Sequence, residues 1–294
     1  MFGSVRDNIN NGFRGSCVLW LCMVCLLANA EETESDELKK AGEEIQQQMY
    51  HPEVEAYEAF GAHLFPYEPI YFLYGSEPVD NVKFQVSLAV RLIPTTKRKD
   101  RFDGFYFAYT QRSFWDLDSH SQPFFDSSYM PEFAYRFEGF NDPPPLGMEF
   151  QSYQLGFKHE SNGKDGSDSR SMDIWYFQAA WMWNIASDWH LNIRPRIWTY
   201  EGKDVYNQDI DKYRGYFYID ANIGSRNGLY FATRTHVGSE FDKGSFELNV
   251  TYPLDELVRV PLYLHFQYFN GYAETLRAYN EHSDHVYIGF SAFR

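Results

Sequence analysis

From about residue 67 to the end of the chain, apolar and polar residues alternate with a period of two, in segments broken by short turn signals. Phe246, Leu248, Val250 and Tyr252 share one parity; Glu247, Asn249 and Thr251 share the other. Phe217, Ile219, Ala221 and Ile223 oppose Tyr218, Asp220 and Asn222, with Tyr213 and Arg214 read as the start of that segment. Turn residues such as Ser225-Arg226-Asn227-Gly228 and Asp242-Lys243-Gly244 separate the segments. The pattern predicts twelve strands, near 67–75, 82–93, 104–116, 130–138, 149–161, 171–183, 189–200, 213–225, 228–238, 244–252, 260–270 and 285–293.

Many of these segments have the length, about ten residues, that crosses a bilayer when tilted. An even number of antiparallel strands can close on itself and leave no edge. A soluble β-sandwich is the competing architecture. The charges carried on the second face of many strands favour closure around a polar interior. The expected fold is therefore all-β, a twelve-stranded antiparallel transmembrane β-barrel over residues 67–294.

Parity then singles out three polar residues. In 149–161, Tyr153, Leu155 and Phe157 define the apolar face, and His159 and Ser161 continue it. In 171–183, Trp175, Phe177, Ala179, Trp181 and Trp183 define the apolar face, and Asp173 shares it. The two segments form a hairpin across 162–170, so the three groups lie near its loop end, on the outside of the wall. Polar residues in the headgroup zone are cheap, whereas a lipid-facing charge at the midplane costs roughly 2–4 kcal/mol. One such residue needs no further account. A hydroxyl, an imidazole and a carboxylate on one patch form an acyl-transfer set: nucleophile, general base and orienting group. A wall-mounted set addresses substrates already dissolved in the bilayer.

Composition agrees. Aromatic residues make up 19% of the 294 residues, with 23 Tyr and 26 Phe, which suits the aromatic girdles of a membrane barrel. The net charge of −15 excludes a nucleic-acid binder, which needs a basic face. Residues 1–30 carry Arg6 and Arg14, an apolar stretch from Cys17 to Leu27, then Ala28-Asn29-Ala30, and read as a cleavable secretory signal. The competing single membrane anchor is disfavoured because the apolar stretch is too short. All three cysteines (Cys17, Cys22, Cys25) lie in that signal, which leaves no disulfide framework or thiolate chemistry afterwards. Residues 31–66 form an acidic N-terminal arm, expected on the periplasmic side.

The run Gly156-Phe157-Lys158-His159-Glu160-Ser161-Asn162-Gly163, followed by Ser169-Arg170-Ser171, resembles the outer-membrane phospholipase A family. Weaker similarity covers most of the chain after the signal, including Val82 to Ala89, Tyr109-Thr110-Gln111 and Gly271 to Leu276. The resemblance implies a calcium-dependent enzyme of the bacterial outer membrane that cleaves sn-1 and sn-2 acyl esters of phospholipids and lysophospholipids. It implies activation as a homodimer and a site toward the outer leaflet. Ser161 matches the nucleophile and His159 the base; Asp173 stands where the family has an Asn. The positions matching the Ca2+ ligands are Ser169, Lys164 through its carbonyl, and Ser121 from the partner subunit, with Asp165 and Asp168 nearby. The N–H groups of Ser161 and Gly163 are candidate oxyanion donors, and Gln111 matches a dimer contact. The alternative function is a non-enzymatic barrel, porin-like or an inactive relative.

Overall fold

The computed structural model describes residues 63–75, 81–92, 104–138, 148–186, 188–225, 227–254 and 261–294. The expected signal and most of the expected arm lie outside the described residues. Thirteen strands follow in order: β1 (Leu64–Pro66), β2 (Ile70–Gly75), β3 (Val82–Arg91), β4 (Phe105–Trp115), β5 (Phe124–Glu138), β6 (Met148–Ser161), β7 (Ser171–Asn184), β8 (Trp189–Lys203), β9 (Phe217–Ser225), β10 (Tyr230–Val237), β11 (Gly244–Pro253), β12 (Tyr263–Tyr272) and β13 (His282–Phe293). Every pairing is antiparallel between neighbours. β2 pairs with both β3 and β13, and β3 with β4, so the sheet closes on itself. β1 and β2 lie end to end on β3, with Leu64 opposite Val90 and Tyr71 opposite Gln85. They are one stave interrupted at Tyr67–Pro69, where Pro69 has no N–H to offer the ladder. The result is the expected closed barrel of twelve antiparallel staves.

The two faces of the wall reverse those of a water-soluble protein. Phe72, Tyr74, Val86, Phe133, Leu155, Trp175, Ile197 and Ile288 are exposed on the outside. Lys83, Glu132, Gln154, Glu160, Arg196, Asp220 and Gln267 are buried in the lumen. Buried charges must be paired to persist, and they are. Lys83 reaches Glu274 at 3.0 Å, Arg234 reaches Asp220 at 2.7 Å and Arg214 reaches Glu160 at 2.7 Å. Among the described residues no helix is long and apolar enough to cross a membrane, so the strands do the crossing.

Two boundaries differ from the sequence pattern by more than three residues. β5 begins at Phe124 rather than near 130, because Asp126, Ser127 and Ser128 interrupt the apolar alternation yet are buried and bonded. Asp126 accepts the Arg277 N–H at 2.8 Å, and Ser127 bonds Ser113 at 2.9 Å. Tyr213 and Arg214 belong to a one-turn helix, α1 (Asp211–Arg214), rather than to the strand that follows. Gly215 ends it at φ 66°, where a Cβ would sit 1.8 Å from the Val237 carbonyl oxygen, so only glycine fits.

The connections 116–123, 162–170, 204–216, 238–243 and 273–281 gather at one rim, here the upper rim. A small core of Met172, Ile210, Ala273, Leu276 and Tyr279 packs the two long connections over the barrel mouth. At the lower rim the Arg294 guanidinium donates to the carbonyls of Ser225 and Gly228 at 3.0 and 2.9 Å.

Candidate active site

The three sequence-predicted residues meet at the upper end of the β6–β7 hairpin. In the ladder His159 lies opposite Asp173 and Ser161 opposite Ser171. Strand residues of one parity share a face, and this face also carries the exposed Leu155, Trp175 and Phe177. The His159 Nδ1 lies 2.7 Å from Asp173 Oδ1, with both side chains somewhat more than one-third exposed. That bond fixes Nδ1 as the protonated nitrogen facing the carboxylate, which leaves Nε2 free to accept a proton. Ser161 sits two residues along the same strand face. Its Oγ accepts the Gly163 N–H at 3.2 Å, and no hydrogen bond joins it to His159 in this structure.

Neighbouring backbone makes room for the pair. Asp173 lies opposite Gly202 in β8, and a Cβ on Gly202 would approach Asp173 Oδ2 to 3.1 Å. The ladder slips beside Asp173, where Glu201 is an extra residue, a bulge of the kind that re-aims side chains. On the other flank the β5–β6 pairing passes from Tyr129–Ser161 to Glu132–Lys158, skipping Met130 and Pro131, and Pro131 cannot donate.

The loop after Ser161 is built around Asn162, which is buried. Its Oδ1 accepts the N–H groups of Lys164 at 3.3 Å and Arg170 at 3.0 Å, and its Nδ2 donates to the Asp168 carbonyl at 2.8 Å. Gly163 holds φ 65°, and a Cβ there would strike the Tyr129 ring at 2.9 Å. The Gly163 N–H is thereby aimed at Ser161 Oγ.

Of the candidate cation ligands, Ser169 donates its Oγ proton to Asp204 Oδ2 at 2.8 Å. Lys164, Asp165 and Asp168 are exposed on the same loop, and Ser121 is exposed on the 116–123 connection. No group of three or more His, Cys, Asp or Glu side chains is placed to hold a metal among the described residues. The donors present are a hydroxyl, a carbonyl and loop carboxylates. This all-oxygen set fits a hard cation that tolerates backbone and water ligands. Asp204, from the far side of the neighbouring hairpin, adds a carboxylate that the strand pattern did not reveal.

Gln111 lies on the outer wall as expected. Its Oε1 accepts from the Tyr109 hydroxyl and its Nε2 donates to Ser113 Oγ, both at 3.2 Å. Gln111 pairs with Tyr129, and Tyr129 with Ser161, so one row of the wall connects the amide to the hydroxyl.

A closed antiparallel barrel with an apolar wall and a charged lumen is an outer-membrane protein. The family model for phospholipase A1 matches residues 66–292, and the chain belongs to that family. A phospholipase A1 of Klebsiella pneumoniae is 30% identical over 247 residues, covering 77% of this chain and 81% of the relative. Two solved structures share the fold with a TM-score of 0.65 and 24% identity. One is the outer membrane phospholipase A of Escherichia coli, covering 78% of this chain and 97% of that one. The other is the Salmonella typhi outer membrane phospholipase, a dimer with bound calcium, covering 78% of this chain and 91% of that one. As a member of that family the chain is a phospholipase, a carboxylic ester hydrolase.

Proposed function

We propose that Ser161, His159 and Asp173 hydrolyse both the sn-1 and sn-2 acyl esters of membrane phospholipids and lysophospholipids, with calcium as cofactor. The observation that carries this reading is the 2.7 Å bond between His159 and Asp173 on the lipid side of the wall, with Ser161 next on the same face.

In this reaction His159 Nε2 takes the Ser161 Oγ proton as the oxygen attacks the ester carbonyl. Asp173 holds the ring orientation and stabilises the imidazolium that forms. The Gly163 N–H, which bonds Ser161 Oγ at 3.2 Å, would pass to the developing oxyanion as that oxygen attacks, assisted by the N–H of Ser161. His159 returns the proton to the leaving lysophospholipid alkoxide. A water, deprotonated by the same Nε2, then releases the fatty acid from Ser161. Asp173 in place of the family's Asn keeps the acceptor for Nδ1–H and adds a negative charge.

Calcium, bound by Ser169, the Lys164 carbonyl and Ser121 of a second copy, would polarise the carbonyl and stabilise its negative charge. Asp165, Asp168 and Asp204 strengthen the electrostatic attraction for it. The need for a second copy accounts for the wall position of Gln111, whose amide keeps hydrogen-bonding capacity for a neighbour. The site faces the outer leaflet, and residues 1–30 are the export signal. Intact membranes, with little phospholipid outside, then keep the enzyme idle.

The test is fatty-acid release from phosphatidylcholine labelled separately at sn-1 and sn-2, by refolded protein with calcium or with chelator. Release from both positions, abolished by chelator and by Ser161→Ala, is expected. Release that survives Ser161→Ala overturns the assignment.

A further inference from the structure

The residue between His159 and Ser161 points the other way. Consecutive strand side chains alternate, so Glu160 projects into the lumen directly behind the proposed base and nucleophile. Met172, opposite Glu160 in the ladder, stands in the same relation to Asp173. One guanidinium touches both. Arg214 Nη1 donates to Glu160 Oε2 at 2.7 Å and lies 3.7 Å from Met172 Sδ, while Nη2 donates to Glu160 Oε1 at 3.1 Å. A two-pronged bond fixes direction as well as distance. Both side chains are at least nine-tenths buried.

The fork is rigidly mounted. Arg214 is the last residue of α1, and its N–H bonds the Ile210 carbonyl at 2.9 Å. Ile210 is fully buried against Met172. Asp211 is held by Lys203 at 2.6 Å and receives the Ser239 N–H on its carbonyl at 2.9 Å. The same 204–216 connection grips the hairpin twice more. Asn207 accepts the Ser171 N–H at 3.2 Å and donates to the Ser171 carbonyl at 3.0 Å, and Asp204 accepts from Ser169.

Such a grip has a job to do, because the sheet is irregular on both flanks at this level. Pro131 interrupts the β5–β6 ladder and the Glu201 bulge interrupts the β7–β8 ladder. Both ladders resume at the hairpin end, at Tyr129–Ser161 and Met172–Lys203, so the lumen contacts add to a wall that is interrupted just below it. We propose that the Glu160–Arg214 pair is a positioning device that sets the relative pitch of His159, Ser161 and Asp173 from the lumen side, tying turnover to the 204–216 connection. This rests on the reading of those three residues as the catalytic set.

The test compares Arg214→Lys, Arg214→Met and the double variant Glu160→Gln/Arg214→Met in the full refolded protein. It measures kcat, KM, the rate at which a fluorophosphonate labels Ser161, and the temperature at which gel mobility changes. Misplacing reacting groups by about 1 Å costs on the order of 100-fold. Arg214→Met should therefore lose about 10- to 100-fold in kcat and in labelling, with KM within about twofold. Arg214→Lys keeps the charge but not the fork and should fall between. A single change leaves a buried charge unpaired and weakens the fold, whereas the double change removes both charges. The double variant should thus regain the wild-type transition temperature but neither kcat nor labelling rate. Recovery of both in the double variant, or wild-type kcat in folded Arg214→Lys, overturns the proposal and makes the pair structural only. Ser161→Ala run alongside keeps the two readings apart. If it still hydrolyses, the catalytic assignment has failed; if it is dead while the Arg214 series is fully active, only the positioning role has.

Discussion

The outer and inner faces of the β6–β7 hairpin differ by one residue in register and by everything in physical circumstance. Outside, His159, Ser161 and Asp173 are partly exposed; a 2.7 Å bond joins His159 to Asp173, and Ser161 Oγ accepts only the Gly163 N–H. Inside, Glu160 is 2% exposed and locked by two charge-assisted bonds from Arg214. The proposed chemistry requires the outer groups to move protons, which suits their partial exposure and light hold. The inner groups must not move, because an unpaired charge there would be costly. One strand serves both ends because its pleat sends alternate side chains to opposite environments.

That contrast can be broken experimentally, starting with the largest effect. Ser161→Ala should reduce hydrolysis about 1,000-fold or more while leaving the unfolding transition in place. Fatty-acid release and heat-modified gel mobility on one preparation would show both. Asp173→Ala should cost about 100-fold in kcat, since the imidazole loses the acceptor that orients it. Asp173→Asn, which restores the family's residue, should stay within about tenfold of the parent.

A lumen substitution should do the opposite. Glu274→Gln strips Lys83 of its nearest carboxylate, 3.0 Å away, and should cost about 3 kcal/mol of stability. A guanidinium titration followed by tryptophan fluorescence would measure it. The effect depends on pH in a definite sense. Burial alone would push the Glu274 carboxyl up, but Lys83 and His285 outweigh it and hold it below its ordinary value. A lowered carboxyl stabilises the fold above its ordinary range, and the contribution is lost as pH falls through the lowered value. The wild-type advantage over Glu274→Gln should therefore shrink on acidification; an advantage that grows would contradict the pairing. The smallest effect belongs to Gly202→Ala. Its Cβ would crowd Asp173 Oδ2 at 3.1 Å, so kcat should fall by only a few-fold as the carboxylate shifts.

Much of this was legible beforehand because strand periodicity is local. Alternation over a few residues placed Leu155, Trp175 and Ile219 outside and Asp220 and Asn222 inside without reference to any partner strand. Parity put His159, Ser161 and Asp173 on the outer wall, and the short 162–170 loop made their strands neighbours. The signal failed where polar residues were themselves buried in strands, as at Asp126–Ser128. It failed again where a glycine with positive φ ended a helical turn, as at Gly215, because alternation carries no information about backbone conformation.

By itself, then, the amino-acid order determined which faces the strands present, that they close as a barrel, and which side carries the Ser161 hydroxyl, the His159 imidazole and the Asp173 carboxylate. Only the tertiary structure decided what supports them. Arg214 lies 54 residues from Glu160, and Lys83 lies 191 from Glu274. Such pairs exist because the barrel closes and its connections fold back over the mouth. No local pattern encodes the partner of a buried charge; it is selected by the shape of the space in which both are confined.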